Sequence, residues 1–147
     1  MPFLEPVTLR GAHARLEPLS HDHRDALVEA VSDGELWKLW YTSVPKPENM
    51  AKEIDRRLGL QAAGSMLPFT VFDAAGKIAG MTTYMNIDAP NRRVEIGSRR
   101  GVAGAQADEL EAVDRLIGAG VAHAHGAEPD DQYALALRDV RIWRLAH

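Results

Sequence analysis

The feature that most constrains the fold is a region in which three apolar segments follow one another with only short turns between them. Residues 67–73, 78–87 and 92–98 alternate apolar side chains with other residues, as half-buried strands do. Residues 73–76 and 88–91, between them, contain the Asp, Gly, Pro and Asn that favour tight turns. Connections this short join antiparallel neighbours. The sequence therefore predicts a three-stranded antiparallel meander.

Two helices are predicted before the meander, and a strand before them. The alternation over residues 7–19 indicates a strand with a bulge or kink at Gly11. Ser20 is of a type that caps helices, and we predict a helix over residues 21–31. A second helix is predicted over residues 47–63, where apolar side chains recur at helical spacing.

A third helix and a further strand are predicted after the meander. Residues 108–125 place apolar side chains on one helical face, although Gly118 and Gly120 weaken this helix by about 1 kcal/mol each relative to alanine. Residues 133–137 alternate like a strand. With a length of 147 residues, this order of elements predicts a single α/β domain over residues 1–147.

Composition excludes several classes of function. The chain has no cysteine, so disulfides, thiolate catalysis and cysteine-ligated zinc are excluded. A net charge of −4 gives no basic field for nucleic acid. No apolar run approaches the roughly 20 residues of a membrane span, and the first residues lack the features of a signal peptide. We therefore expect a cytoplasmic protein with neither a nucleic acid nor a membrane as partner.

Two pairs of histidines are not expected to bind a metal. His123 and His125 are two residues apart on a predicted helix, so their side chains lie on different faces, and no third ligand is close in sequence. His21 and His23 open a predicted helix and are expected to face solvent. No metal site is therefore predicted.

The composition changes abruptly after Ser98. The first 98 residues contain 25 residues of the types Ser, Thr, Asn, Lys, Met and Phe, and the last 49 contain none of them. An alanine-rich helical segment explains part of this change, but it does not explain the loss of Lys and Met, which are good helix formers. We therefore distinguish residues 1–98 from a divergent tail, residues 99–147.

Five segments, in this order, resemble one protein family. They are LRGAHARLEPL (9–19), ELWKLWYTSVP (35–45), GSMLPFTV (64–71), GMTTYMNI (80–87) and RRVEIGS (92–98). The chain resembles the GCN5-related N-acetyltransferase (GNAT) superfamily over about residues 5–98, and within it the branch that contains the ribosomal-protein N-terminal acetyltransferases. The resemblance implies an α/β fold of the GNAT-like acyl-CoA N-acyltransferase type. Such a fold has a mixed, mostly antiparallel sheet flanked by helices, here with an altered or incomplete C-terminal part.

The resemblance implies transfer of an acetyl group from acetyl-CoA to a primary amine. The amine arrives as an ammonium ion and must lose a proton before it attacks the thioester. Glu95 matches the position of the family's catalytic carboxylate. If Val94 and Ile96 face the core, alternation places Glu95 on the other face of its strand, where the amine would lie. The alternative is a solvated glutamate that pairs with Arg92 or Arg93.

The resemblance also implies where acetyl-CoA, the co-substrate, would bind. The backbone of Ile96, Gly97 and Ser98 would pair with the pantetheine arm. Gly101 and Gly104, in the loop before the next helix, would surround the pyrophosphate. The loop departs from the family's Gln/Arg-x-x-Gly-x-Gly/Ala spacing, because the second of these glycines comes one residue late. Pyrophosphate binding by this loop is therefore left open.

Four aromatic residues are expected to bind the acceptor. Trp37, Trp40 and Tyr41 lie between the first two predicted helices, where the family places its acceptor wall, and Tyr84 would project from the middle strand of the meander. The alternative is that the tryptophans are core residues. The implied partner is an amine-bearing peptide or small molecule, and a homodimer is left open.

The resemblance stops at Ser98, where the composition also changes. The family branch continues with Thr-Trp, which the codons CGA-CGT-GGN for Arg-Arg-Gly contain in a neighbouring frame. We therefore predict that residues 99–147 are a frameshifted translation of a GC-rich gene. The alternative is genuine divergence, which the helical periodicity of residues 108–125 supports. A shifted tail would make the chain an inactive remnant, or a non-enzymatic acyl-CoA or peptide-binding module, instead of an enzyme.

Overall fold

A five-stranded antiparallel sheet is the centre of the fold. A computed structural model describes residues 4–38 and 44–100, the last three by their backbone alone. The strands pair in chain order. They are β1 (Leu9–Arg10), β2 (Ala14–Pro18), β3 (Met66–Asp73), β4 (Ile78–Asp88) and β5 (Arg93–Arg100). The predicted meander is confirmed as β3, β4 and β5.

The turn between β3 and β4 forms for a reason that is visible in its sequence. The Asp73 carboxylate accepts hydrogen bonds from the backbone N–H of Ala75 at 2.9 Å and of Lys77 at 2.8 Å. Gly76 has a φ of 83°, a left-handed conformation that glycine adopts without steric cost. Local hydrogen bonding and one glycine therefore fix this chain reversal.

The segment of residues 7–19 corrects one prediction. It forms two strands, β1 and β2, in place of a single strand with a kink at Gly11. The backbone N–H of Gly11 donates to the carbonyl of Ala14 at 2.9 Å, and Leu9 pairs with Leu16. The alternation of side chains could not distinguish the two cases, because both arms of a hairpin alternate as a single strand does.

Two helices pack on one face of the sheet. They are α1 (Arg24–Ser32) and α2 (Met50–Ala62), and each follows a short 3₁₀ turn. Both predicted helices are confirmed. The Oγ of Ser20 accepts a hydrogen bond from the backbone N–H of Asp22 at 3.3 Å, so this residue caps the first helical segment as predicted.

Alternation along the strands gives the sheet two buried apolar faces. The face under the helices carries the helix-side core, formed by Leu19, Leu27, Val31, Met50, Ile54 and Met81. The other face carries the opposite-face core, formed by Ala14, Leu16, Leu67, Phe69, Val71, Tyr84 and Val94. Residues i and i+2 of a strand share a face, and residue i+1 lies on the other face. If one residue of a strand belongs to a given core, the faces of its neighbours along that strand are therefore known.

The elements predicted over residues 108–125 and 133–137 lie outside the described residues. The frameshift hypothesis concerns residues 99–147, nearly all of which also lie outside them. Among the helices of residues 4–38 and 44–100, none is long and apolar enough to cross a membrane.

A charged cluster on α2 includes a buried arginine. The Arg57 side chain is 5% exposed, and its Nε donates to Oε1 of Glu53 at 2.8 Å. Arg56, which is 53% exposed, donates to both oxygens of the same carboxylate. The hydrogen bond from Arg56, followed by that from Arg57, keeps the pKa of Glu53 below its ordinary value of 4.5, although partial burial acts in the opposite direction.

We expect Glu53→Gln to lower the free energy of unfolding by about 1–3 kcal/mol at pH 7, since three charge-assisted hydrogen bonds are weakened or lost beside a buried arginine. The folded-state pKa is lowered, so the stabilisation is complete above about pH 4.5 and is lost as the pH falls through the folded value. Urea unfolding at several pH values should show the gap to wild type narrowing in acid. The control Arg24→Gln, which removes an exposed pair with Asp25 on α1, should stay within about 0.5 kcal/mol of wild type. A gap that is independent of pH would contradict this account.

Candidate active site

Glu95 lies on the helix side of β5. Val94 is 1% exposed in the opposite-face core, and Ile96 packs against the same core. Successive side chains of a strand point to opposite faces, so Glu95 and Gly97 face the helix side. This is the orientation that the sequence predicts for Glu95.

The Glu95 carboxylate is half-buried and hydrogen-bonded. The side-chain amide Nδ2 of Asn86 donates to its Oε2 at 2.5 Å. Arg93 is one of the two ion-pair partners that the alternative interpretation names, and its guanidinium lies 3.6 Å from the Asp88 carboxylate. The hydrogen bond from Asn86 comes from a neutral amide, which restrains the carboxylate without adding a charge of its own.

Gly97, the next residue on this face of β5, has room for a side chain only if Met85 moves. A Cβ at this position would overlap the sulfur of Met85. Met85 is the register partner of Glu95 on β4 and lies on the same face. Met85 therefore covers the backbone of β5 directly beside the carboxylate.

The crowding at Gly97 gives a test of the site's packing. We expect Gly97→Ala to lower the free energy of unfolding by about 1–3 kcal/mol, because the added methyl group displaces the Met85 side chain. In a Met85→Ala background the same substitution should cost much less. A double-mutant cycle measured by urea unfolding gives the coupling between the two residues. Equal costs in the two backgrounds would show that the sulfur does not limit this position.

β5 carries an extra residue just beyond Gly97. Thr83 pairs with Gly97 and Met81 with Arg100, so two steps along β4 match three along β5. This irregularity is a β-bulge, which bends a strand and interrupts its hydrogen-bonded ladder. β5 is also an edge strand of the described sheet, so the backbone groups on its outer side have no partner strand in that part of the chain.

This strand suits the acetyl-CoA arm that the resemblance implies. Ile96, Gly97 and the backbone of Ser98 lie on the edge strand at the bulge, where backbone groups on the outer side of β5 could pair with the amides of an extended pantetheine. The carbonyl of Gly97 itself accepts a hydrogen bond from the Thr82 hydroxyl at 3.4 Å. Gly97 adds no side chain of its own to this part of the backbone, over which the Met85 side chain lies. The two glycines predicted to surround the pyrophosphate, Gly101 and Gly104, lie outside the described residues.

The expected acceptor residues separate in the structure. Trp37 is half-buried and packs against the helix-side core, on the same side of the sheet as Glu95. Trp40 and Tyr41 lie outside the described residues. Tyr84 is 1% exposed and belongs to the opposite-face core, where its ring meets Phe69 edge-to-face with centroids 5.4 Å apart.

Tyr84 lies in the opposite-face core, away from Glu95, and its role in the acceptor pocket stays a prediction. Burial raises the pKa of its hydroxyl far above the ordinary value of 10, because the charged phenolate is disfavoured where it is shielded from water. Its neighbours Thr83 and Met85 take the helix side of β4, so Tyr84 must face away from Glu95. Knowing that residue 84 lies in a strand does not say which face of that strand meets the substrate.

His23 corrects an expectation, because it faces the sheet and not the solvent. Its ring nitrogen Nδ1 lies 2.8 Å from the hydroxyl oxygen of Thr70, and its ring packs edge-to-face on Phe72. His21 is exposed, as expected. Across the described ranges, no group of three or more His, Asp or Glu side chains is placed to hold a metal ion.

The residue that sequence reasoning missed is Asn86. Asparagine is disfavoured inside strands, so its place near the end of a predicted strand was the available signal. It has a φ of 50°, in the left-handed region that asparagine tolerates better than most residues. The structure makes it the hydrogen-bond donor to Glu95.

The family model described as an acetyltransferase (GNAT) domain matches residues 13–124 of the chain. The match continues past Ser98, so the similarity does not end where the composition changes, which corrects the expected limit. No curated protein matches the chain.

Three solved structures show the same fold. A GCN5-related N-acetyltransferase from Brucella melitensis is 24% identical, with a TM-score of 0.69 over 93% of this chain and 66% of that one. An acetyltransferase from Salmonella typhimurium, described as modifying the N-terminal serine of the 50S ribosomal subunit protein L7/L12, is 16% identical, with a TM-score of 0.66 over 90% and 83% of the two chains. The ribosomal L7/L12 α-N-protein acetyltransferase RimL in complex with coenzyme A is 17% identical, with a TM-score of 0.58 over 77% and 68%.

At these identities the likeness concerns the fold, and it confirms the expected fold class. The chain spans 66% of the length of the Brucella melitensis protein.

Proposed function

Because the chain belongs to the GNAT acetyltransferase domain family, we propose that it is an N-acetyltransferase that moves the acetyl group of acetyl-CoA to a primary amine. The observation that carries this proposal is the position of Glu95. A half-buried carboxylate on the edge strand β5 accepts a hydrogen bond from Asn86 and stands close to a bulge that interrupts the hydrogen-bonded ladder of the strand.

In this mechanism Glu95 is the general base. It accepts a proton from the ammonium group of the acceptor, directly or through one water molecule. The freed lone pair of the nitrogen attacks the thioester carbonyl carbon, so that a C–N bond forms and the C–S bond breaks. A second proton of the nitrogen goes to the departing sulfur. The backbone of Ile96, Gly97 and Ser98 holds the acyl-CoA arm so that the thioester lies beside Glu95.

The acceptor in this proposal is a protein N-terminus or a small amine. One structural relative is described as acting on the N-terminal serine of a ribosomal protein, which supports a peptide amine. A peptide would enter on the helix side of the sheet, where Glu95 and Trp37 both lie. Trp37 is half-buried and amphipathic, so it suits contact with an extended peptide.

Two measurements on the full chain test the proposed function. Calorimetric titration with acetyl-CoA should show saturable binding. Mass spectrometry after incubation with acetyl-CoA should then show one added acetyl group on a peptide with a free N-terminal serine or alanine, and none on the same peptide with a blocked N-terminus. Absence of saturable binding would favour an inactive remnant. Saturable binding without acetylation of any peptide or small amine would favour a non-enzymatic acyl-CoA-binding module.

A further inference from the structure

We propose that Asn86 is the positioning residue for the catalytic base Glu95. The bulge in β4 directs the side-chain amide of Asn86 toward the Glu95 carboxylate. This inference rests on the proposed role of Glu95 in proton transfer. It adds a residue that acts on the reaction through another residue and does not itself touch the substrate.

The backbone of β4 carries the first part of the argument. Met85 pairs with Glu95 and Asp88 pairs with Arg93, so three steps along β4 match two along β5. One residue of β4 is therefore extra, and Asn86, with a φ of 50°, has the left-handed conformation typical of such a bulge.

The bulge changes the direction of the Asn86 side chain. In a regular strand residue 86 would point away from the face of Met85, toward the opposite-face core. Ile87 packs against that core instead, and the Asn86 amide donates to Glu95 on the helix side. Without the extra residue, the amide and the carboxylate would lie on different faces of the sheet.

The chemistry of the contact suits a positioning role. An amide N–H is a neutral donor that cannot take up the proton, so it holds Oε2 of Glu95 and leaves proton transfer to Oε1. Hydrogen bonds to a carboxylate are stronger than those between neutral groups, which restricts rotation of the side chain. Asn86 is itself exposed, so the bond contributes little to global stability and its value lies in the orientation of the base.

Two substitutions separate the effect of the Asn86 side-chain amide from the effect of the left-handed backbone at this position. Asn86→Gly keeps the left-handed conformation and removes the donor, and Asn86→Asp keeps the side-chain shape but places a like charge beside Glu95. We expect kcat to fall roughly 10-fold or more for Asn86→Gly and further for Asn86→Asp. KM for acetyl-CoA and the melting temperature should stay close to wild type. A loss confined to KM, or a matching loss of melting temperature, would show that Asn86 has only a structural or binding role.

Asn91 provides a matched control. Its amide donates to both oxygens of the Asp88 carboxylate, at 3.1 and 2.9 Å, in the adjacent turn. Asn91→Gly therefore removes the same kind of contact outside the site and should leave kcat unchanged. In a Glu95→Gln background, Asn86→Gly should have less than about a 2-fold further effect, because its action passes through the glutamate. An additive loss would overturn the proposal.

A measurement without turnover separates this inference from the proposed function. In a ¹⁵N-labelled chain, the side-chain amide signals of Asn86 should shift when Glu95 is replaced by alanine, and those of Asn91 should not. An unmoved Asn86 signal would refute the contact itself. If the signal moves and the wild-type chain acetylates no amine, the proposed function fails while the contact stands. If Glu95→Gln is inactive but Asn86→Gly matches wild type, only the positioning role fails.

Discussion

Glu95→Gln is expected to lower kcat/KM for amine acetylation by roughly 10²-fold or more, which is the usual contribution of a general base. Glutamine keeps the size of the side chain and accepts the hydrogen bond from Asn86, so the fold and the local geometry should persist. Steady-state kinetics with acetyl-CoA and a peptide amine measure the change. The matched control is Glu17→Gln, a half-buried glutamate in β2 that pairs with Arg15 at 2.7 Å and should keep wild-type turnover.

The pH dependence of that loss gives a second criterion. A protein N-terminus has a pKa of about 7.7–8.0 and a lysine side chain one of about 10.4, so raising the pH supplies an amine that needs no base. The deficit of Glu95→Gln should therefore shrink with rising pH, and it should do so at lower pH for an N-terminal amine than for a lysine. Near wild-type turnover at neutral pH would remove Glu95 from the mechanism.

Tyr84→Ala is expected to lower the free energy of unfolding by about 3–5 kcal/mol, the usual cost of deleting a buried aromatic ring. The ring is 1% exposed and packs edge-to-face on Phe69, so its removal leaves a cavity in the opposite-face core. Urea unfolding measures the loss. Tyr84→Phe retains the ring and should leave KM for the acceptor unchanged. A folded, stable Tyr84→Ala chain with a raised acceptor KM would instead support a role for Tyr84 in the substrate pocket.

Local chemistry made much of the fold predictable. Asp73 and Gly76 specify a turn through contacts within five residues, and Ser20 specifies the beginning of a helix in the same way. Apolar alternation around Glu95 was enough to predict that it faces away from Val94, because the period of a strand is fixed by its geometry. The family resemblance added the interpretation of that carboxylate, which spacing alone could not supply.

Other features depended on which strand lies beside which, and in what register. Gly11 reverses the chain instead of kinking it, because β2 pairs with β1 on one side and with β3 on the other. Tyr84 and Met81 lie on opposite faces of β4. Met81 belongs to the core under α1 and α2, so Tyr84 belongs to the core on the other face. His23 turns toward the sheet because Thr70, 47 residues away, offers it a hydroxyl group.

The sequence by itself therefore determined the helices α1 and α2, the meander with its two turns, and the face of β5 that carries Glu95, since each depends on residues within about a turn or a strand of one another. Only the tertiary structure decided that Asn86 reaches Glu95. That contact needs an extra residue in β4, a slipped register between β4 and β5, and a left-handed backbone at one position. Register is set by cross-strand pairing over the whole sheet, and a shift of one residue moves a side chain to the other face, so no local pattern could have specified it.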